Sequence, residues 1–342
     1  MTQTQPETVL PTEVKQPPPA TRSARNLLHH AERYALVALT VVVVVFFCVL
    51  PESAEIFPST ANIRIVAASQ SVTLLVALAA MMPLIAGHFD FSAGAVAATS
   101  SVAVAGLMQN QDAPLLVCVV VALVLGLVVG LITGLAVCVF GMNSFVITLA
   151  VATLLGGGIQ WYTEGQAISN NISPDLVEFG TTTWLGVPKV LYVVVVAAAV
   201  IYYVLEQTPF GRSLRALGDN PGAAKLVGMP VQRFGVIAFV IGGALAAVAG
   251  VILAARTGGA TADNGTTMIF PALAAVFLGA TAIQPGHFNV VGTLVGVTLV
   301  AVSVSGLTLA GAQDWVNPVF NGASLAVAVA ASTYLGRRSR AA

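Results

Sequence analysis

The residues best suited to chemistry in this chain lie in two short polar stretches that resemble each other. Residues 87–94 read GHFDFSAG and residues 286–293 read GHFNVVGT, in a chain with only four histidines. Histidine, aspartate and asparagine side chains hydrogen-bond to backbone groups or to a polar solute. The repetition therefore predicts either a shared structural role at the start of a helix or direct contact with a passing substrate.

We call residues 87–94 the first polar stretch and residues 286–293 the second polar stretch. Capping predicts that Asp90 or Ser92 accepts backbone N–H bonds from the helix that follows, and that Asn289 does the same in the second stretch. A histidine at an apolar helix end is usually a structural hydrogen-bond partner, but His88 and His287 could instead face one pathway and bias its selectivity. The candidate residues are Gly87, His88, Asp90, Ser92, Gly94, Gly286, His287, Asn289, Gly292 and Thr293.

The elements that carry these stretches must be membrane helices. The chain of 342 residues is 57% hydrophobic and only 8% charged, with a mean hydropathy of +0.91, which is too little charge for a soluble globule. Apolar runs of the roughly 20 residues needed to cross a bilayer repeat from residue 34 to residue 336. A β-barrel would require alternating polarity, whereas residues 115–139 are apolar on every side. The sequence predicts an all-α polytopic membrane protein.

Polar and Gly/Pro punctuation divides the chain into about ten transmembrane helices in two pseudo-repeated halves. The two polar stretches lie between spans two and three and between spans eight and nine, which indicates a duplication relating spans two to five with spans seven to ten. Coincidence of a short repeated word is the alternative. The predicted spans are near 34–50, 63–86, 92–108, 115–139, 144–160, 190–205, 234–256, 268–283, 290–310 and 315–336.

Arginine and lysine clusters predict the orientation. Basic residues precede the first span, follow the last and fill the loop 206–233, so the positive-inside rule places both termini and this loop in the cytoplasm. Residues 1–33 are interpreted as a disordered cytoplasmic tail and residues 337–342 as a basic cytoplasmic tail. The transmembrane domain is then 34–336, with 161–189 as an extracytoplasmic loop whose acids could receive a partner.

The loop 206–233 contains a predicted short helix. Asn220 can cap it, Pro221 suits its first position, and Gly228 ends it after about two turns. Such a short helix is marginal in water and exposes Leu226 and Val227, so it should dock on something. The residues alone leave open whether it packs along its own protein or on a soluble partner.

Other chemistries are disfavoured. Cys48, Cys118 and Cys138 lie in apolar runs without metal-binding spacing, and the zero net charge does not indicate a nucleic-acid partner. The chain contains no Gly-Lys pair and therefore no phosphate-binding loop of the G-x-x-x-x-G-K type. We expect that this chain is not an enzyme and that it binds no metal and no cofactor. A membrane protein of this kind could be an ion-coupled transporter. Such a transporter would be expected to bury several ionisable groups in its spans, and these spans offer almost none beyond Asp90.

From about residue 60 to residue 335 the sequence resembles the permease subunits of bacterial ABC importers for ribose, xylose, arabinose and related sugars. GHFDFSAG is similar to a family word Gly-Gly-x-Asp-Leu-Ser-x-Gly, and Gly286, Gly292 and Thr293 fit a second word. Between these two words, NSFVITLAVATLLGG, TEGQAI and the loop TPFGRSLRALGDNPGAAKLVGMPV resemble further family segments in the same order. His88, Pro285, His287 and Phe288 depart from the family pattern, so both histidines are particular to this chain.

The resemblance implies several partners and a site. Two permease chains, as a homodimer or heterodimer, would form the pathway in the inner membrane, a soluble binding protein would deliver solute, and an ATPase with tandem nucleotide-binding domains would use ATP. The short loop helix would dock in a cleft of that ATPase. The implied coupling residues are Gly211, Arg212, Arg215, Gly218, Asp219, Asn220, Ala223, Ala224 and Gly228.

A sugar pathway needs polar wall groups. Candidates within the spans are equally able to form hydrogen bonds between helices, so the sequence does not choose among them. They are Gln70, Ser71, Asn143, Ser144, Thr148 and Thr153.

Overall fold

The computed structural model describes the backbone of residues 22–261 and 266–341, and side chains from residue 33 to 261 and from 267 to 334. The described chain is helical apart from loops and one short hairpin. The helices are α1 (Arg22–Val49), α2 (Thr60–Ile85), α3 (Ser92–Gln111), α4 (Leu115–Cys138), α5 (Ser144–Thr163), α6 (Pro174–Thr181), α7 (Lys189–Gln207), α8 (Pro209–Asp219), α9 (Pro221–Leu226), α10 (Val231–Thr257), α11 (Ile269–Gly279), α12 (Val290–Leu309) and α13 (Val316–Ala341). A 3₁₀ turn, Thr266–Met268, precedes α11.

The all-α polytopic class is confirmed. Among the described residues, seven helices are long and apolar enough to cross a membrane, namely α2, α3, α4, α5, α7, α10 and α12. The Arg33–Val49 part of α1 and the helix α11 are apolar but shorter. Each of the ten predicted spans coincides with a helix, but the count of ten spans stays a prediction.

The centre of the molecule is the second half of α2. Residues from Leu74 to Met82 are almost completely buried there, among α10, α11, α7 and α12. Beside it, α10 and α4 approach closely enough for backbones to touch. A β-carbon at Gly126 would lie 2.3 Å from the carbonyl oxygen of Gly243, so only glycine fits this crossing. Small residues at membrane helix crossings permit such contacts.

The two polar stretches occupy equivalent turns. Gly87 lies between α2 and α3 with φ of +84°, and Gly286 lies between α11 and α12 with φ of +88°. Both glycines adopt the left-handed backbone region that L side chains rarely enter. This shared local geometry agrees with two pseudo-repeated halves.

The ends of the chain differ from the sequence prediction. Helix α1 begins at Arg22, so residues 22–33, which we assigned to a disordered tail, are helical. Residues 1–21 lie outside the described part of the chain. At the other end α13 continues to Ala341, so the backbone of the basic tail extends the last helix as far as that residue. Arginine, leucine and alanine, which favour helices, are frequent from residue 22 to residue 33, and three arginines follow Gly336 at the other end.

The loop between α5 and α7 has structure that the sequence analysis did not predict. It contains α6 and a two-stranded antiparallel hairpin, β1 (Thr183–Trp184) and β2 (Val187–Pro188). Leu185 and Gly186 both have positive φ, as two-residue hairpin turns require. Helix α6 packs on α10, where a β-carbon at Gly180 would lie 2.1 Å from the Ala255 carbonyl oxygen.

Candidate functional site

Asp90 caps the start of α3. Its Oδ1 accepts a bond from the Ser92 backbone N–H at 2.8 Å and another from the Ser92 hydroxyl at 2.6 Å. The side chain is buried, with an exposed fraction of 3%. Burial raises the pKa of the Asp90 carboxyl, and the bonds from Ser92 and from the Ala93 N–H oppose that rise. The capping interpretation therefore holds for Asp90, which accepts from the first residue of α3 across Phe91, whereas Ser92 donates its hydroxyl and does not act as the acceptor. Gly94 lies buried one turn further on.

Asn289 performs the same task in the second polar stretch. Its Oδ1 accepts the N–H of Gly292 at 2.6 Å, while its amide donates to the carbonyl oxygens of Ala282 and His287, each at 3.1 Å. Gly292 packs against α11, since a β-carbon there would lie 2.1 Å from the Gly279 carbonyl oxygen. Thr293 is fully buried and donates to the Asn289 carbonyl oxygen. The Asn289 amide both donates and accepts hydrogen bonds within this turn, whereas an ionised carboxylate could only accept them.

Helix α5 holds the first polar stretch in place through its hydroxyls. The Phe89 N–H donates to Ser144 Oγ and the Phe91 N–H donates to Thr148 Oγ1, both at 3.1 Å. Thr148 is fully buried and also donates to the Ser144 carbonyl oxygen. Asn143 caps α5 by accepting the N–H of Val146 at 3.2 Å. These three pathway candidates have backbone partners, so each has a structural role.

The two histidines do not meet. The His88 ring is half-buried with its centroid 6.1 Å from that of Phe239 on α10, and burial lowers its pKa. The His287 ring lies instead beside α8, with Nε2 4.0 Å from Oδ1 of Asp219. The two imidazoles therefore contact different helices, and the hypothesis that both face one pathway stays a prediction.

Helix α8 connects the loop to both polar stretches. Gly211 lies against the end of α7, where a β-carbon would be 2.1 Å from the Leu205 carbonyl oxygen, and Arg215 pairs with Glu206 of α7. Arg212, by contrast, is exposed. Gly218 contacts the end of α2, and a small cavity of about 170 Å³ lies between Gly87, Gly286 and the end of α8. The fold thus brings the two polar stretches together beneath this helix.

Helix α9 follows directly and presents a defined outer face. Asn220 accepts the N–H of Ala223 at 2.9 Å and caps α9, and Gly228 ends it with φ of +79°. Ala224 faces inwards with an exposed fraction of 4%, whereas Leu226 and Val227 are 90% and 77% exposed. Ala224 therefore packs within this chain, and Leu226 and Val227 are the large apolar side chains of α9 and its end that a partner could contact.

An open groove of about 470 Å³ runs between α3, α5 and α11. Thr153 and Gln160 provide its polar groups, and α5 is the least buried of the candidate spans. Gly156, Gly157 and Gly158 have no neighbour within 4 Å of a β-carbon position. The remaining lining residues are Phe91, Ala95, Leu149, Ala152, Ile269 and Phe270. We refer to this feature as the α5 groove.

A second cavity, of about 500 Å³, lies between α1, α2, α7 and α12. Its polar lining side chains are Asn62, Gln70, Ser71, Thr298 and Ser305, and all of these except Gln70 donate hydrogen bonds within the described chain. Thr153 of the α5 groove likewise donates to the Leu149 carbonyl oxygen of its own helix, so free hydroxyls do not distinguish the two spaces. We prefer the α5 groove as the candidate for a polar solute because it opens along α5, the least buried of the candidate spans.

Comparison with known proteins settles the class of the chain. The family described as the permease component of the branched-chain amino acid transport system matches residues 62–329. The chain belongs to this family. It is a transport subunit by membership, and the match begins in α2 and ends in α13, so it contains both polar stretches, the α8–α9 segment and the α5 groove.

Curated relatives in the family cover nearly the whole chain. The ribose import permease protein RbsC of Haemophilus influenzae is 30% identical over 90% of this chain and 94% of its own length. The probable ABC transporter permease protein YphD of Escherichia coli is 35% identical over 89% and 91%. The autoinducer 2 import system permease protein LsrD of Photorhabdus laumondii is 27% identical over 86% and 89%. No solved structure matches the chain.

Sequence reasoning missed parts of this site. Gln160 and the glycine run Gly156–Gly158 border or flank the α5 groove, yet nothing in an evenly apolar helix marks which face stays open. The run of three glycines was the available signal, because glycine is costly inside a helix and these three have no close neighbour in the chain that would require it. The inward orientation of Ala224 had no signal in the sequence.

Proposed function

We propose that this chain is the permease subunit of an ATP-driven importer that carries a monosaccharide or similar small polar solute across a bacterial inner membrane. The observation that supports this most strongly is the similarity, over nearly the full length, to permeases named for ribose import. Both termini and the α8–α9 segment would lie in the cytoplasm, in agreement with the positive-inside rule.

The α5 groove is the proposed half of the solute pathway. It is open along α5, where three glycines lack neighbours, and a second permease chain facing it would close the groove into a channel. Thr153 and Gln160 would hydrogen-bond the solute hydroxyls, because buried polar groups of a sugar need partners. Gln70 and Ser71 would not take part, since they line the separate apolar cavity.

The energy would come from a separate ATPase with tandem nucleotide-binding domains. This chain would bind no cofactor itself, and it would contact the ATPase through Leu226 and Val227 on the outer face of α9. Burial of two exposed aliphatic side chains contributes about 1.5–3 kcal/mol each when it is complete. ATP binding would favour whichever access state makes better contacts with α9, since a ligand shifts an equilibrium only by differential affinity.

A soluble binding protein would deliver the solute on the opposite side. The loop between α5 and α7 offers a folded surface there, built from α6 and the hairpin and joined to α7 by the ion pair between Glu178 and Lys189 at 3.0 Å. Exposed Trp184 and Leu185 at the hairpin provide an apolar contact. Aromatic residues are enriched at protein interfaces.

The test is purification and reconstitution of the complex. The tagged chain is extracted gently from its native membrane, its stoichiometric partners are identified, and the complex is placed in proteoliposomes with ribose, xylose or arabinose and the matching binding protein. We expect an ATPase to copurify with the tagged chain. We also expect uptake of one sugar to require ATP on the side of the membrane where that ATPase is bound. A chain that purifies alone and transports solute with a proton or sodium gradient would overturn the proposal.

A further inference from the structure

Five phenylalanines form a continuous set of ring contacts at one end of the α5 groove. Phe277 of α11 lies between Phe89 and Phe288, with ring centroids 6.1 and 5.4 Å away. Phe89 contacts Phe91 at 6.4 Å, and Phe91 contacts Phe145 of α5 at 5.0 Å. We call these five residues the phenylalanine cluster. Three of them, Phe89, Phe91 and Phe288, come from the polar stretches and their turns.

The phenylalanine cluster has a buried centre and an open edge. Phe277 is 6% exposed, whereas Phe89 and Phe145 are 40% and 47% exposed. Phe91 is itself a wall residue of the α5 groove. Phe145 lies one helical turn before Leu149, another wall residue, and residues four apart share a helix face. The open edge therefore continues the wall of the groove.

The phenylalanine cluster also lies at a definite depth. Thr153 follows Phe145 by eight residues on α5, which corresponds to about 12 Å along the helix axis. The rings are anchored at the α8 end of the membrane by the bonds from Phe89 and Phe91 to Ser144 and Thr148. A solute that leaves Thr153 in the direction of α8 meets the rings next.

We propose that the phenylalanine cluster is the cytoplasmic gate of the pathway. The inference rests on the proposed function, because it requires a second chain to place its own rings opposite these. Two facing sets of phenylalanines form an apolar constriction, and such constrictions close by excluding water. A sugar cannot pass while they touch, since its hydroxyls would lose all hydrogen-bond partners there.

The contacts of α8 connect this gate to the ATPase-facing helix. A β-carbon on Gly87 would lie 3.7 Å from Gly218 Cα, and Asp219 lies 4.0 Å from His287. Gly87 is two residues from Phe89, His287 precedes Phe288, and α9 begins directly after Asn220. Both turns that carry gate rings contact α8. A displacement of α9 therefore reaches both of them through α8. These contacts lie at the rim of the small cavity below α8, and direct contacts transmit displacements because packed protein has low compressibility.

The experiment measures access to Thr153 from the cytoplasmic side. Cys48, Cys118 and Cys138 are replaced by alanine, Thr153→Cys is introduced, and the complete importer is prepared in inside-out vesicles. A membrane-impermeant maleimide then labels the new thiol in the absence of nucleotide, and again with ATP and vanadate. We expect slow labelling without nucleotide and a change in rate when the ATPase is trapped.

Phe89→Ala is the test variant. It should raise the nucleotide-free labelling rate about tenfold, because Phe89 makes two ring contacts and each aromatic pair is worth enough to shift an equilibrium several-fold. Phe89→Trp keeps an aromatic ring and should keep labelling slow. Phe46→Ala on α1, which removes a 56% exposed ring that contacts only Phe47 among the described rings, is the matched control and should leave the parent rate unchanged.

The outcomes separate the gate from the proposed function. If Phe89→Ala labels at the rate of Phe46→Ala while nucleotide still changes the parent rate, the gate is refuted and the importer stands. If no ATPase copurifies and nucleotide never changes labelling, the importer and the gate are both refuted. Should Phe89→Ala fail to accumulate in the membrane, Phe145→Ala, at the exposed edge, decides the question by the same comparison.

Discussion

Gly218 of α8 lies directly on the carbonyl oxygen of Ile85, the last residue of α2. A β-carbon at Gly218 would be 2.0 Å from that oxygen, far inside van der Waals contact. The segment that ends in helix α9 thus packs on the end of the buried helix α2, immediately beside the first polar stretch.

Gly218→Ala should separate α8 from α2. Overpacking of this kind costs about 1–3 kcal/mol, and because the obstacle is backbone, α8 has to move. We expect a lower melting temperature in detergent and transport reduced severalfold relative to the amount of protein. Gly322→Ala in α13 is the control, since nothing lies within 4 Å of its β-carbon position. Equal melting temperatures for the two variants would contradict the close contact.

Leu226→Glu should weaken association with the ATPase without unfolding the spans. Leu226 is 90% exposed, so a charge there costs little in the free chain but would be buried unpaired in a docked one. The measurement is the yield of ATPase that copurifies with the tagged chain. Gln232→Glu, which adds the same charge at an exposed position on α10, should retain the ATPase.

Ala224→Glu should behave differently from Leu226→Glu. Ala224 is buried against its own chain, so a glutamate there disturbs the seat of α9 as well as its partner. We expect the melting temperature to fall for Ala224→Glu and to remain at the parent value for Leu226→Glu. A stable Ala224→Glu variant would show that α9 is free to reorient.

Asp90→Asn should preserve the cap of α3, whereas Asp90→Ala should not. An asparagine Oδ1 can accept the N–H bonds that Asp90 accepts, as Asn289 does before α12. Loss of a cap costs about 0.5–2 kcal/mol, which a thermal melt of the purified protein detects. If Asp90→Asn abolishes transport while keeping stability, the carboxylate has a role in the pathway that capping does not explain.

The pKa of His88 predicts how stability depends on pH. Burial lowers this pKa below 6.5, so the folded state disfavours protonation relative to the unfolded chain. The contribution of neutral His88 is complete above pH 6.5 and is lost as the pH falls from 6.5 towards the folded value. His88→Gln should therefore flatten the melting temperature over that range. A parent and variant with parallel pH profiles would contradict this prediction.

The sequence by itself determined the class of the protein and its local signals. Composition and the length of the apolar runs require membrane helices, since a bilayer leaves few other ways to satisfy the backbone. The caps at Asp90, Asn220 and Asn289 were predictable because a cap depends on neighbours within a few residues. The repeated glycines of the polar stretches likewise identified two equivalent turns.

Only the tertiary structure decided which faces meet. Membrane helices such as α5 and α10 are apolar all round, so their sequences carry no periodicity that separates a packed face from an open one. That is why the open side of α5, the inward Ala224 and the ring contacts through Phe277 emerged only from the fold. Long-range packing brought together residues that no local rule connects. It also placed His88 and His287 beside different helices, although the two stretches that contain them have similar sequences.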